Sequence, residues 1–248
     1  MTRSVEDCAI FLQAIAGYDP MDPASANVSV PDFRAALKDE IKGLRVGVPR
    51  ANWFNENRGI DPETERCFSN ALKTLEDLGA IVVEIDGRPF SLARKANQTI
   101  LVAEAYTYHE KRLQQAPEKF GSSVRRRMLE GAFLSAADYI TALRARTVLN
   151  EQICANFSRV NVFATPTVPR PPEAFEALDP NEQNLRPNFT NPFNLTGLPA
   201  ISVPCGFTSF NLPVGLQIVT RPFEEATAFR VAYAYEQATD WHSRRPKL

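Results

Sequence analysis

A strand, a helix and a second strand follow one another between residues 43 and 85, and this run constrains the fold more than any other part of the chain. Residues 43–49 (GLRVGVP) read as a short apolar strand. Asp61 then stands as an N-cap with Pro62 at the first helical position. Phe68, Ala71, Leu72, Leu75 and Leu78 make one apolar face that runs up to Gly79. Residues 80–85 (AIVVEI), rich in β-branched side chains, are the second strand. A connection that contains a whole helix joins parallel strands through a right-handed crossover.

The remaining elements fit around that unit. Ser4 and Asp7 have capping-box spacing, and Val5, Cys8, Ala9, Leu12 and Ile15 recur at helical intervals before Gly17. Residues 18–31, polar and broken by proline, read as surface loop. Residues 92–157 read as mostly helical, with breaks near Pro117 and Gly121. Residues 160–165 (VNVFAT) form a third strand, stopped by Pro166, Pro169, Pro171 and Pro172. Residues 180–192 read as polar loop. Residues 200–204 (AISVP) and 214–219 (VGLQIV) are two further strands, and the Gly, Asn and Pro between them predict a long-looped hairpin. Residues 224–241 close the chain as an amphipathic helix. The expected class is α/β: helices on either side of a mixed β-sheet, parallel early and antiparallel late, with residues 1–248 in one domain.

Charge and cysteine content exclude several functions. The net charge is −1, so there is no basic excess to neutralise a phosphate backbone, and nucleic acid is not an expected partner. Arg125, Arg126 and Arg127 read as a solvated helix face. No apolar run reaches the roughly 18 residues a membrane span needs. Cys8, Cys67, Cys154 and Cys205 are far apart and only His109 and His242 could join them, so neither a metal site nor any cofactor is expected. Unpaired thiols in apolar patterns fit a reducing, cytoplasmic setting.

No GxSxG, GxGxxG, P-loop or HExxH pattern occurs. Ser122 and Ser123 precede three arginines without a glycine-rich turn to present them, and read as a helix start rather than a nucleophile. His109, flanked by Tyr106 and Tyr108, reads either as a pocket group or as a partly exposed helical histidine. The segment 189–207 (FTNPFNLTGLPAISVPCGF) is the most specific in the chain. It is a polar loop entering a buried strand, and it can wall a site or form a rigid corner.

That segment, followed by LPVGLQIV and preceded by MTRSVEDCA, GLRVGVP and FATPTVP, resembles the C-terminal half of the amidase signature family. The likeness runs through nearly the whole chain, and the YEQATDWHSRRP stretch is similar to the family's closing helix. The resemblance implies α/β/α layers around one large mixed sheet. It also implies hydrolysis of amide C–N bonds by a Ser–Ser–Lys triad whose middle serine sits on a cis peptide bond. In the family the lysine makes the bridging serine basic, and backbone N–H groups of a glycine-rich loop hold the oxyanion. Those groups precede the MTRS-like segment, and no residue here matches them, so no catalytic residue is carried over. The family's C-terminal half helps shape the acyl pocket, which makes Tyr106, His109, Thr190 and Asn194 the candidate pocket residues.

Three readings stay open. The chain is part of an amidase acting on a small-molecule amide once the missing half is supplied, by a complementing subunit or otherwise. It is a non-catalytic remnant or binding module. Or it belongs with the amidotransferase subunits that release ammonia from glutamine for tRNA-linked synthesis. Strands left uncovered would make the chain self-associate.

Overall fold

The computed structural model describes residues 1–54, 59–174 and 189–245. Five strands form one sheet in the order β2-β1-β3-β5-β4: β1 (Arg45–Ala51), β2 (Ile81–Asp86), β3 (Val162–Pro166), β4 (Ala200–Phe207) and β5 (Pro213–Val219). β1 pairs parallel with β2 and with β3, whereas β5 runs antiparallel to β3 and β4. The sheet is mixed, and β3 is the strand at which it changes sense.

The crossover helix α2 (Pro62–Asp77) is capped by Asp61, whose carboxylate accepts from the N–H groups of Glu63 (2.9 Å) and Thr64 (3.3 Å). Its buried face, Cys67, Phe68, Ala71, Leu72 and Leu75, packs on the sheet. β1 begins two residues later than the apolar run GLRVGVP predicts. Gly43 (φ +78°) and the Leu44 N–H bond to the Ile41 carbonyl make a turn there first.

The helical layer consists of α3 (Arg88–Gln115), α4 (Ser122–Leu129) and α5 (Ala136–Ala155). The chain turns near Pro117, as expected, and again at Gly131, which the periodicity does not reveal. A side chain at Gly131 would stand 2.2 Å from the Val102 carbonyl oxygen, so only glycine lets this turn lie against α3. Aromatic packing fixes the layer to the sheet. Phe90 at the start of α3 meets Phe163 of β3 edge-on (5.4 Å) and stacks on Trp53 (5.2 Å), which also touches Phe189 (4.8 Å). Each such pair adds about 0.5–1.5 kcal/mol beyond its buried area.

Part of the expected loop over residues 180–192 lies outside the described residues. Its end is helical instead: Asn191–Thr196 forms the short helix α6. Pro192 fits its first turn, where no N–H is needed, and Gly197 (φ +71°) ends it. The hairpin forms as expected but with a longer β4, which continues through a bulge at Cys205 to Phe207. The closing helix α7 (Glu225–Gln237) stops short of Trp241, which opens a separate 3₁₀ turn.

α7 also holds the start of the chain. α1 (Val5–Ile15) is capped by Ser4, and the Val5 N–H donates to both carboxylate oxygens of Glu236 at 3.2 and 3.0 Å. An acid at a helix N-terminus is favoured by the helix dipole, but Glu236 is only 6% exposed. Burial pushes its carboxyl above the ordinary 4.5 and Asp7 pushes the same way, opposed by the Val5 bond and His242. A raised native value means that the folded chain holds the proton more tightly than the unfolded one. Stability from this group is therefore highest below pH 4.5 and falls as pH rises through the window just above it. Urea midpoints of the wild type relative to Glu236→Gln, taken from pH 4 to 7, should decline with rising pH. A wild type that gains on the variant would show that the Val5 bond and helix dipole outweigh desolvation.

Candidate functional site

Three polar side chains interrupt the apolar strands in one row. Thr165 of β3 stands opposite Gln217 of β5, which stands opposite Ser202 of β4. Directly opposed residues share a face, so a hydroxyl, an amide and a second hydroxyl cross the sheet side by side. The Gln217 side-chain amide donates to Thr165 Oγ1 (2.9 Å) and to the Phe189 carbonyl (3.2 Å). Gln217 is 4% exposed and Thr165 is fully buried, so these bonds lie in a dry interior where leaving one unmade is costly. They tie the segment before α6 to the centre of the sheet.

At the open end of the row, Thr167 Oγ1 and Ser202 Oγ lie 2.6 Å apart, and Ser202 is exposed. Gly215 makes room for them: a Cβ there would stand 2.6 Å from Thr167 Oγ1 and 2.8 Å from Ser202 Oγ. The Thr167 N–H bonds the Gly215 carbonyl at 2.8 Å and holds the chain flat beyond β3. These hydroxyls can give and take hydrogen bonds with a polar ligand. Among the described residues their bonds include no lysine or histidine base of the kind that activates a hydroxyl nucleophile.

The four residues expected to line a pocket separate into two pairs. Thr190 follows Phe189, whose carbonyl is bonded to the polar row, and Asn194 lies four residues further on. Thr190 precedes α6, and its carbonyl accepts from the N–H groups of Phe193 (3.1 Å) and Asn194 (3.0 Å). Asn194 is exposed on α6. α6 is joined to α3 by the Asn97 amide, which donates to Asn191 Oδ1 at 3.3 Å. Tyr106 and His109 lie farther along α3; at about 1.5 Å per residue, Tyr106 is roughly 13 Å from Asn97 along the axis. Tyr106 OH donates to Glu110 (3.1 Å), which pushes the phenol's pKa up. His109 is half-buried, with its ring edge-on to Tyr108 (4.8 Å) and Phe120 (5.6 Å), and its buried Nδ1 has no hydrogen-bond partner among the described residues.

Beside that second pair lies a cavity of about 950 Å³ between the C-terminal half of α3 and the turn leading into α5. Thr107, Tyr108, Lys111, Ser135 and Tyr139 line it, and Tyr139 OH donates to Glu104 across it at 3.0 Å. Neither Tyr106 nor His109 is among its lining residues. Thr165, Thr167, Ser202 and Gln217 lie inside the segments that carry the family resemblance, FATPTVP, 189–207 and LPVGLQIV, but the sequence marks none of them individually as a site residue. The available signal is their polarity within otherwise apolar strands, Gln217 inside VGLQIV above all.

The amidase family model matches residues 1–229. The chain belongs to the amidase family. It is 40% identical to the A subunit of glutamyl-tRNA(Gln) amidotransferase from Moorella thermoacetica over 100% of this chain and 55% of that protein. The corresponding protein of Thermosynechococcus vestitus is 38% identical over 100% of this chain and 56% of its own length. Among solved structures, 6-aminohexanoate cyclic dimer hydrolase superposes with a TM-score of 0.82 at 23% identity, over 99% of this chain and 55% of the hydrolase. The A subunit of the Thermotoga maritima glutamyl-tRNA(Gln) amidotransferase superposes with a TM-score of 0.75 at 32% identity, over 95% of this chain and 51% of that one. The chain thus has the amidase fold and spans about half the length of the curated relatives it matches.

The buried amide gives a test of the site's construction. Gln217→Leu removes the donor shared by Thr165 and the Phe189 carbonyl, and an unsatisfied buried group costs about 1–3 kcal/mol. The urea midpoint should fall accordingly, with faster amide exchange at 189–196. A change below about 0.5 kcal/mol would show that the segment is held by its aromatic contacts alone.

Proposed function

We propose that this chain is the C-terminal portion of a single amidase domain and hydrolyses amide C–N bonds only when the rest of that domain is supplied. In this reading the polar row of β3, β5 and β4, with Thr190 and Asn194, walls the acyl side of a small-molecule amide. Tyr106 and His109 stand at the outer mouth. The Ser–Ser–Lys triad and oxyanion loop come from the part of the family fold that these residues do not span, in a complementing subunit or segment. The observation that carries the proposal is a full-length match to only about half of each relative. The base-free hydroxyl pair at the sheet's open end agrees with it.

The chain ends its sheet on β2 and β4, each paired on one side only among the described strands. Open edges pair with other chains, so the isolated chain self-associates until a complementing part covers them. No described helix is long and apolar enough to cross a membrane, and the four cysteines are free, which supports a place in the cytoplasm. A second reading, part of the A subunit of a glutamine-dependent tRNA amidotransferase, is favoured by the 40% identity to such a subunit. The remnant or binding-module reading makes the opposite prediction for complementation.

Pure protein should release no ammonia from a panel of primary amides, since losing a nucleophile set costs on the order of 10⁶-fold in rate in the serine hydrolase precedent. Co-expression with the N-terminal half of an amidase should turn a polydisperse light-scattering profile into one species and restore turnover. Preference for glutamine over other amides in that pair selects the amidotransferase reading. Sustained turnover by the chain alone overturns the proposal, and a soluble but inactive pair supports a remnant.

A further inference from the structure

A second pocket, about 840 Å³ in volume, lies at the other end of β4 from α6, between the first residues of the chain, the β4–β5 hairpin and the 3₁₀ turn Trp241–Ser243. At about 3.3 Å per residue, β4 puts roughly 23 Å between this pocket and the α6 end of the sheet. Arg3, Arg244 and Arg245 line it, and among the described residues no carboxylate does. In a chain of net charge −1, this is a local concentration of positive charge rather than a general property of the surface.

The guanidinium of Arg244 is already in place. It lies over the ring of Phe207 at 4.7 Å and over that of Trp241 at 5.0 Å, and the Arg3 guanidinium donates to the Arg244 carbonyl at 3.0 Å. A guanidinium held over aromatic rings makes no hydrogen bond to them, and its N–H fork matches two oxygens of a phosphate or carboxylate. Stacking also removes much of the rotamer entropy that a lysine in the same place would lose on binding. His242, in the pocket wall, has a buried Nδ1 without a hydrogen-bond partner among the described residues. The volume exceeds what a bare oxyanion needs and lies within the range of small-molecule sites. Two aromatic rings and two prolines supply an apolar wall for the rest of the ligand.

We propose that this pocket binds a small aromatic phosphate monoester, with the dianion held between Arg3, Arg244 and Arg245 and the flat group against Trp241 and Phe207. Three guanidiniums suit a dianion better than a single carboxylate. The proposal rests on residues of this chain and not on the amidase reading.

Equilibrium dialysis at constant ionic strength reads the binding whatever the chain's state of association. The probes are phenyl phosphate, inorganic phosphate, benzoate and phenol. Phenyl phosphate should saturate near one per chain, at least tenfold tighter than each of the other three. Arg244→Gln and Arg245→Gln should each weaken it at least tenfold with unchanged far-ultraviolet circular dichroism. Arg244→Lys, which keeps the charge but loses the fork, should also weaken it. Uptake that does not saturate, inorganic phosphate or phenol binding as tightly as phenyl phosphate, or undiminished affinity in both glutamine variants overturns the proposal. Benzoate binding as tightly overturns the assignment to a phosphate.

Discussion

β3 is the strand on which the rest of the structure depends. All five of its residues are buried, and it pairs parallel with β1 on one side and antiparallel with β5 on the other. A strand buried on both faces must give every side chain an apolar or bonded neighbour. Val162, Phe163 and Ala164 find packing, and Thr165 finds the Gln217 amide. Phe163 receives Phe90 and, at 4.3 Å, Phe157, so the helical layer is registered on this same strand. Removing β3 would part the crossover unit from the hairpin, and the segment before α6 would lose its anchor.

The polar row is the cost of putting a usable surface on such a sheet. An amide and a hydroxyl are buried only because they satisfy each other and the Phe189 carbonyl. At the exposed end, the Thr167 and Ser202 hydroxyls meet over a glycine. The arrangement is rigid where it is dry and adaptable where it meets solvent, which suits a wall that positions a ligand. Among the described residues its hydroxyl pair is bonded to no proton acceptor of the kind that activates a nucleophile, and the chain spans about half of its relatives.

The elements carried by strong local signals are legible in the sequence. Asp61 and Pro62 announce α2, β-branched runs announce β1, β2 and the hairpin strands, and the length between 49 and 80 requires a parallel crossover. The family is legible from the segment 189–207. α6 is not, because Thr, Asn and Pro mark turns and the first turn of a helix alike, and only Phe193 and Leu195, buried against the layer, decide for the helix. The grouping of the site as a whole is not legible. Helical spacing joins Tyr106 to His109 and Thr190 to Asn194, but no local rule relates the two pairs, whose separation depends on how α3 runs past α6. The Thr165–Gln217–Ser202 row depends on strand register, which periodicity along a single strand does not give. Glu236 under Val5, 231 residues away in sequence, is equally a product of the tertiary fold.

The central claim is that these strands form one portion of a larger sheet whose edges await the rest. Hydrogen exchange on β2 and β4, with and without a co-expressed N-terminal amidase half, tests it most directly. The account predicts that the amides of Ile81–Asp86 and Ala200–Phe207 that do not face β1 or β5 exchange fast in the isolated chain and slow by orders of magnitude in the pair. Strong protection of both strands in a monodisperse monomer of the chain alone would contradict it, because these residues would then close their own sheet.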